Sequence, residues 1–142
     1  MPFSERTVVE DGSAVPIVAG RTAAVWVAAG GGLGSVLRYL VGEWASVAGP
    51  GMPFGTLVVN LGGSVVLGLV LGGLTRRPMT PEVAAGLTIG LCGGFTTFST
   101  FGYETFVLLT AGAYGAAAAY VLASTLLCLI GFAGGYRVLR VR

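Results

Sequence analysis

The stretch that decides the fold reads Gly90-Leu-Cys-Gly-Gly-Phe-Thr-Thr-Phe-Ser-Thr-Phe-Gly-Tyr-Glu104, with two adjacent glycines ahead of threonine, serine and phenylalanine. Glycine costs about 1 kcal/mol relative to alanine in a helix, and β-branched threonine lowers helix propensity further. Inside a membrane, irregular backbone is tolerated only where it is buried in protein or lines a cavity. The stretch therefore predicts a helix that breaks at a functional site. The alternative is a continuous, glycine-softened helix whose hydroxyls bond to carbonyls one turn earlier.

The composition around this stretch is that of an integral membrane protein. Hydrophobic residues make up 54% of the 142 residues and charged residues only 10%, and the mean hydropathy is +0.86. Soluble domains carry about a quarter charged residues. The ranges 55–75, 83–103 and 105–136 contain no Asp, Glu, Lys or Arg. Each is long enough for a helix that crosses the bilayer, which needs roughly 20 residues.

We predict one all-α membrane domain over residues 22–142, preceded by a tail over residues 1–21 that we expect to be disordered. The domain has four transmembrane helices, the third of them broken, at about 22–45, 55–75, 83–110 and 113–136. Glycine pairs spaced by four residues predict closely packed helices, because small residues let membrane helices approach. These pairs are Gly30/Gly34, Gly68/Gly72, Gly86/Gly90, Gly90/Gly94 and Gly131/Gly135.

Several classes of function are excluded by the polar residues. The chain has no His and only six acids, so neither a catalytic triad nor a metal cluster can be assembled, and we predict that the protein is not an enzyme. Cys92 and Cys128 are far apart and lie in apolar runs, where they are expected to pack as small residues. The net charge of +2 is too small for nucleic-acid binding.

Uncharged polar residues recur on helix faces of the predicted spans, and phenylalanines recur every three residues beside the glycine pair. Amide and hydroxyl donors without fixed charge suit the path of a small hydrated anion, which must exchange its water for donors and still leave. Aromatic ring edges carry partial positive charge and can also face an anion, although such stripes are usually core. The three sets are Thr56, Asn60 and Ser64; Tyr120, Ser124 and Cys128; Phe95, Phe98 and Phe101.

Three motifs resemble the fluoride channel family (Fluc, or CrcB-type): GTLVVNLGGS at 55–64, GGFTTFSTFGYE at 93–104 and LGSVLRY at 33–39. The likeness runs from Ala24 to Tyr136. It implies a fluoride-selective channel that exports fluoride passively across the cell membrane and so reduces its toxicity. It also implies four-helix subunits paired as an antiparallel dimer, with a structural sodium ion (Na⁺) between two fluoride paths.

The resemblance also implies roles for individual residues. The backbone carbonyls of Gly93 and Thr96 would hold sodium, two from each subunit. Phe98 and Phe101 match the rings that contact fluoride, and Asn60 matches the pore amide. The remaining matches to the fluoride path are Ser99 and Thr100 at the break, the hydroxyl track Tyr120, Ser124 and Cys128, the first-helix Arg38, and Glu104. Cys128 departs from the pattern, because a thiol is a weaker donor than a hydroxyl.

The sequence is consistent with two roles for each of two charged residues, Arg38 and Glu104. Arg38 lies near the end of its span, so its side chain either faces a vestibule or extends to the membrane interface. Glu104 is either a proton carrier or a capping and packing partner.

Two other functions compete with the channel. A small proton-coupled multidrug exporter should carry its acid in the middle of the first span, yet Glu43 is at the end. In a non-transporting assembly or anchor protein, the polar stripes would hold helices together.

The arginines are distributed unevenly between the two sides of the membrane. With four spans, both tails and the loop between the second and third spans share one side, which carries every arginine outside a span. The positive-inside rule predicts that both termini are cytoplasmic. An antiparallel channel then requires either an inverted minority in a homodimer or an oppositely oriented paralogue in a heterodimer. The arginines concerned are Arg6, Arg21, Arg76, Arg77, Arg137, Arg140 and Arg142.

Overall fold

The computed structural model describes residues 7–10, 13–16, 21–46 and 53–140. Helices dominate, and a two-stranded hairpin precedes them. The elements, in chain order, are β1 (Thr7–Glu10), β2 (Ser13–Pro16), α1 (Arg21–Ser46), α2 (Phe54–Leu74), α3 (Pro81–Ala85), a π-helix (Gly86–Cys92), α4 (Gly93–Phe95), α5 (Phe98–Thr110) and α6 (Tyr114–Leu139).

Within the described residues, four segments are long and apolar enough to cross a membrane: Arg21–Trp44, Phe54–Leu74, Pro81–Thr110 and Tyr114–Leu139. Their bounds lie within about three residues of the predicted spans. The third segment combines α3, the π-helix, α4 and α5. Large apolar side chains are exposed along α1 and α6, as expected for helices in contact with lipid. The prediction of a four-span, multi-pass membrane protein is confirmed.

The tail that the sequence predicts to be disordered contains the hairpin. Strands β1 and β2 pair antiparallel, with Thr7 opposite Pro16 and Glu10 opposite Ser13. The hairpin precedes the membrane domain, which is all-helical as predicted. Residues 1–6, 11–12 and 17–20 lie outside the described residues, so disorder there stays a prediction.

Close backbone contacts hold the helices together. The most extensive packing joins α2 to α6 and α1 to the π-helix. A Cβ atom added at Gly68 of α2 would overlap the carbonyl oxygen of Phe132 in α6, and one at Gly30 of α1 would overlap the carbonyl oxygen of Gly86. A larger residue at either position would force the two backbones apart. The tight packing predicted from the glycine spacing is confirmed at these contacts.

A tight turn returns the chain from α5 to α6. Gly112 adopts the left-handed conformation, with φ of 73°, which glycine reaches without steric cost. The Gly112 amide donates to the Leu109 carbonyl at 3.0 Å, and the Ala113 amide donates to the Leu108 carbonyl at 2.9 Å. These bonds satisfy the last carbonyls of α5. The turn places α6 beside α5, so residues of both helices reach the site described next.

Candidate functional site

The helical path of the third segment changes at Thr96 and Thr97. Both residues are extended, with φ/ψ of −78°/161° and −149°/117°. Helix α4 ends before them, and α5 begins immediately after them. Thr97 caps α5, because its Oγ1 accepts a hydrogen bond from the Thr100 amide at 3.2 Å. The two non-helical residues are thus β-branched threonines, and they follow the Gly93–Gly94 pair identified in the sequence.

Asn60 of α2 forms hydrogen bonds with both the amide and the carbonyl of Thr97. Its Nδ2 donates to the Thr97 carbonyl at 3.0 Å, and its Oδ1 accepts from the Thr97 amide at 2.7 Å. A side-chain amide that bonds both groups of one residue replaces two helical hydrogen bonds. Asn60 therefore positions the non-helical residues. It retains one Nδ2 hydrogen for another acceptor.

Two amides that would close helical turns donate elsewhere. In a continuous α-helix the Thr97 and Thr100 amides would donate to the carbonyls of Gly93 and Thr96. Here the Thr97 amide donates to Asn60, and the Thr100 amide donates to Thr97 Oγ1. The carbonyls of Gly93 and Thr96 are thereby released from these helical bonds. They are the same two carbonyls that the family resemblance assigns to sodium.

The hydroxyls at this point form a local network. Thr97 Oγ1 donates to Thr100 Oγ1 at 3.0 Å and lies 3.2 Å from Ser99 Oγ. Thr97 is buried, whereas Ser99 and Thr100 are exposed. Thr96 Oγ1 instead donates back to the Cys92 carbonyl at 2.9 Å. The network orders the start of α5 and leaves Ser99 and Thr100 at the surface of the subunit.

The phenylalanines do not form one stripe. Phe98 and Phe101 are neighbours on α5, with ring centroids 5.6 Å apart, and Phe101 packs on Tyr120 with centroids 5.2 Å apart. Phe95 belongs to α4 and lies beside Gly63 of α2. The three-residue recurrence seen in the sequence does not place the rings on one helix face, because the extended residues separate Phe95 from the other two. Phe98 is 84% exposed.

Glu104 accepts two hydroxyl hydrogen bonds. Thr56 donates to its Oε1 at 2.8 Å, and Tyr120 donates to its Oε2 at 2.7 Å. Tyr120 is almost fully buried, with 2% of its surface exposed. The carboxylate thus ties α5 to both α2 and α6, which favours the packing-partner interpretation of Glu104. Arg38 is half-buried and makes no hydrogen bond or ion pair with the residues that the structure describes.

A cavity of about 360 Å³ opens beside the extended residues. It brings together most of the predicted site, whereas Arg38, Ser99, Thr100, Glu104 and Tyr120 are outside its lining. No charged side chain is in that lining. Ser124 is buried, and its Oγ makes no hydrogen bond of ordinary geometry within the described part of the chain, although Tyr120 is near. The lining residues are Asn60, Gly63, Ser64, Leu67, Thr88, Cys92, Gly93, Thr96, Thr97, Phe98, Phe101, Ser124, Thr125 and Cys128.

Sequence reasoning did not assign a role to Thr97. This residue receives both Asn60 bonds and caps α5. A threonine directly before a renewed helical pattern is a recognisable N-cap signal. The cavity also includes Thr88, Cys92 and Thr125, for which no functional signal exists in the sequence, because their place depends on how the helices pack.

These features define a multi-pass membrane protein with an uncharged, mainly apolar cavity that carries an amide and hydroxyls beside the extended residues Thr96 and Thr97 of its third span. Comparison with known proteins makes the class specific. The sequence model of the family described as "CrcB-like protein, Camphor Resistance (CrcB)" matches residues 25–136. The chain belongs to this family, which confirms the resemblance seen in the sequence.

The similarity to individual named proteins covers most of the chain. It is 45% identical over 117 residues to "Fluoride-specific ion channel FluC 1" of Nitrobacter hamburgensis, covering 81% of this chain and 93% of the relative. It is 47% identical over 116 residues to "Fluoride-specific ion channel FluC" of Geobacter sulfurreducens, covering 80% and 94%. The protein of the same name in Geobacter metallireducens is 49% identical over 107 residues, covering 74% and 86%. The family consists of ion channels, so the prediction that this chain is not an enzyme is confirmed.

Proposed function

We propose that this protein is a fluoride-selective channel that lets fluoride leave the cell passively. The observation that carries the proposal is the cavity beside Thr96 and Thr97, which offers an amide, hydroxyls and phenylalanine rings without a charged side chain. Such donors replace the water of a small anion, and the absence of a cationic side chain lets the anion leave again. The names of the relatives support fluoride as this anion.

In this proposal, fluoride moves past Asn60, Phe98 and Phe101 and along the α6 face. Ser124 and Cys128 line the cavity on that face, and the Ser124 hydroxyl makes no hydrogen bond of ordinary geometry within the described residues. The Tyr120 hydroxyl, by contrast, donates to Glu104. We therefore assign direct contact with fluoride to Ser124 and Cys128. Tyr120 and Glu104 position the Phe101 ring, while Ser99 and Thr100 line the approach from the exposed side of α5.

We also propose that sodium binds to the carbonyls of Gly93 and Thr96. Both carbonyls are released from helical hydrogen bonds because the amides of Thr97 and Thr100 donate elsewhere. Carbonyl oxygens are the ligands that an alkali cation prefers, so the donor set fits the ion. With two carbonyls from each subunit, sodium would supply a fixed positive charge between the subunits. Asn60 contributes by keeping the Thr97 amide away from the Gly93 carbonyl.

The channel is proposed to be an antiparallel dimer. Phe98, Ser99 and Thr100 are exposed on the isolated subunit, although they border the proposed path. A second subunit across a two-fold axis would cover them and complete both the path and the sodium site. The Arg38 guanidinium, which has no ion-pair partner among the described residues, is then proposed to face the vestibule.

Orientation in the cell membrane remains part of the proposal. The exposed Arg76 and Arg77 follow α2, and Arg137 lies in the last turn of α6, on the same side as the start of α1. Arg6 and Arg142 lie outside the described residues. The positive-inside rule predicts that both termini are cytoplasmic in most copies. A homodimer then includes inverted copies, and a heterodimer includes an oppositely oriented paralogue.

Reporter fusions at the C-terminus test the orientation. Signal from the cytoplasmic side alone is the expected result, and comparable signal from both sides would contradict a fixed orientation. If the chain purified alone conducts fluoride, no paralogue is required.

Fluoride efflux from liposomes tests the function itself. The purified protein is placed in vesicles loaded with potassium fluoride or potassium chloride, in sodium-containing buffer, and valinomycin starts the efflux. The proposal predicts release of fluoride and retention of chloride. A tight, correctly folded dimer that releases no fluoride would overturn it, and equal release of both anions would remove the selectivity.

A further inference from the structure

Both thiols of the chain face the same cavity from different helices. Cys92 ends the π-helix and Cys128 lies on α6, and both are in the cavity lining. They differ in exposure, because Cys92 is buried with 4% of its surface exposed, whereas Cys128 is half-buried. Neither forms a disulfide. Cys128 is therefore the thiol that a small reagent in the cavity reaches first.

A second observation is a buried hydroxyl on the same helix face as Cys128. Ser124 lies one helical turn before Cys128 and lines the same cavity. The residue is 6% exposed, and its Oγ makes no hydrogen bond of ordinary geometry within the part of the chain that the structure describes, although Tyr120 is near. Buried hydroxyls are almost always hydrogen-bonded, either to protein or to an ordered water or ion. Because the two residues lie one turn apart on the same face of α6, a partner of the Ser124 oxygen would lie close to Cys128.

Two other hydroxyls of the cavity lining have partners of their own. Thr88 Oγ1 donates to the Ala84 carbonyl at 2.7 Å, and Thr96 Oγ1 donates to the Cys92 carbonyl at 2.9 Å. The Cys92 carbonyl thus already accepts a hydrogen bond. The Ser124–Cys128 turn differs from these positions because it combines the buried Ser124 hydroxyl with a half-buried thiol.

We propose that Cys128 is a binding site for a soft, thiophilic metal cation, which enters the cavity and closes the anion path. Cysteine sulfur selects soft metals over the hard ions that oxygen ligands prefer. With silver, the thiol loses its proton and the sulfur bonds to the metal: R–SH and Ag⁺ give R–S–Ag and H⁺. No oxidant or reductant is needed. The bound metal fills space beside Ser124 and Asn60 that a permeating anion requires.

Thiol labelling tests the site without any transport measurement. The intact protein is treated with N-ethylmaleimide, which adds to the thiol, and the mass increase is followed over time. Cys92→Ala retains Cys128, and Cys128→Ala retains Cys92, so each variant reports one thiol. Because reactivity follows exposure, we expect Cys128 to react about tenfold faster than Cys92 or more. Prior addition of Ag⁺ should protect Cys128, and denaturation in detergent should make both thiols reactive.

Transport gives the second readout, and this part rests on the proposed fluoride channel. Fluoride efflux is recorded in chloride-free buffer before and after Ag⁺, and each variant is compared with its own initial rate. Silver should stop efflux through Cys92→Ala and leave Cys128→Ala at its initial rate. Equal labelling of the two thiols, or equal block of both variants, would overturn the proposal. If no variant conducts fluoride, labelling and protection still decide the metal site, and only the channel fails.

Discussion

The two halves of the third span satisfy their backbone hydrogen bonds in different ways. Before Thr96, the chain is helical, packs against α1 through glycines and buries Gly86 and Gly90. After Thr97, α5 has no buried residue, and its first turn is held by side chains of Asn60 and Thr97. The first half is a packed scaffold. The second half presents rings and hydroxyls on a surface that a partner or the lipid must cover.

This difference explains why the cavity lies where it does. Backbone groups within a helix are engaged with one another and are unavailable to an ion. Where side chains take over that role, carbonyls become available without leaving the local amides unsatisfied. Substitutions in one half or the other therefore separate effects on the scaffold from effects on the site.

The largest effect is expected from the rings of the second half. Replacing Phe98 or Phe101 by isoleucine preserves bulk but removes the positively polarised ring edge. A hydrogen bond to a charged group contributes about 1.5–3 kcal/mol, so a comparable ring-edge contact implies a loss of fluoride flux of about ten- to hundredfold. Liposome efflux measures the flux, and size-exclusion chromatography checks the assembly. Unchanged flux in both variants would make these rings packing residues.

A smaller loss of fluoride flux is expected when Asn60, which bonds the Thr97 backbone, is replaced. Asn60→Asp keeps an acceptor for the Thr97 amide but loses the donor to the Thr97 carbonyl and adds a negative charge. Asn60→Ser loses both bonds without adding charge. The negative charge repels a permeating anion and also faces the Thr97 carbonyl oxygen. We therefore expect Asp to reduce flux about tenfold more than Ser, although Ser leaves more backbone groups unbonded. Equal flux would indicate that Asn60 does not face the anion path.

The scaffold half is tested by adding a methyl group to a glycine. At Gly90 a Cβ atom would lie 2.8 Å from the Val27 carbonyl oxygen, so Gly90→Ala must shift α1. Overpacking of this kind costs about 1–3 kcal/mol. Gly102→Ala is the matched control in α5, where a Cβ atom meets nothing within 4 Å. Thermal unfolding should show Gly90→Ala below wild type and Gly102→Ala at or above it. The opposite order would contradict the assignment of the two halves.

The smallest effect concerns the link of the second half to α2 and α6 through Glu104. In Glu104→Gln one of the two hydroxyls from Thr56 and Tyr120 loses its acceptor, because an amide nitrogen cannot accept. We expect a loss of about 1 kcal/mol in the free energy of unfolding. Glu43→Gln serves as the control, since Glu43 is exposed and has no hydrogen bond to the described residues. Equal stability of the two variants would mean that the contacts of Glu104 contribute nothing.

Much of this description was accessible from the sequence, for physical reasons. Charge-free runs and glycine spacing depend on local composition, so the four spans and the close approach of Gly30 and Gly68 to neighbouring backbones were predictable. The Asn60–Thr97 contact was not, because it joins residues 37 positions apart and depends on the register between helices. The same limit applies to Phe95, whose direction changes once two residues leave the helix.

The most direct test of this account is the sodium dependence of the channel. If the diverted amides leave the Gly93 and Thr96 carbonyls for a cation, then exchanging sodium for N-methyl-D-glucamine should lower the thermal stability of the dimer and stop fluoride efflux. Returning sodium should restore both. Identical stability and efflux in the two buffers would contradict the account, because the released carbonyls would then have no ion to bind.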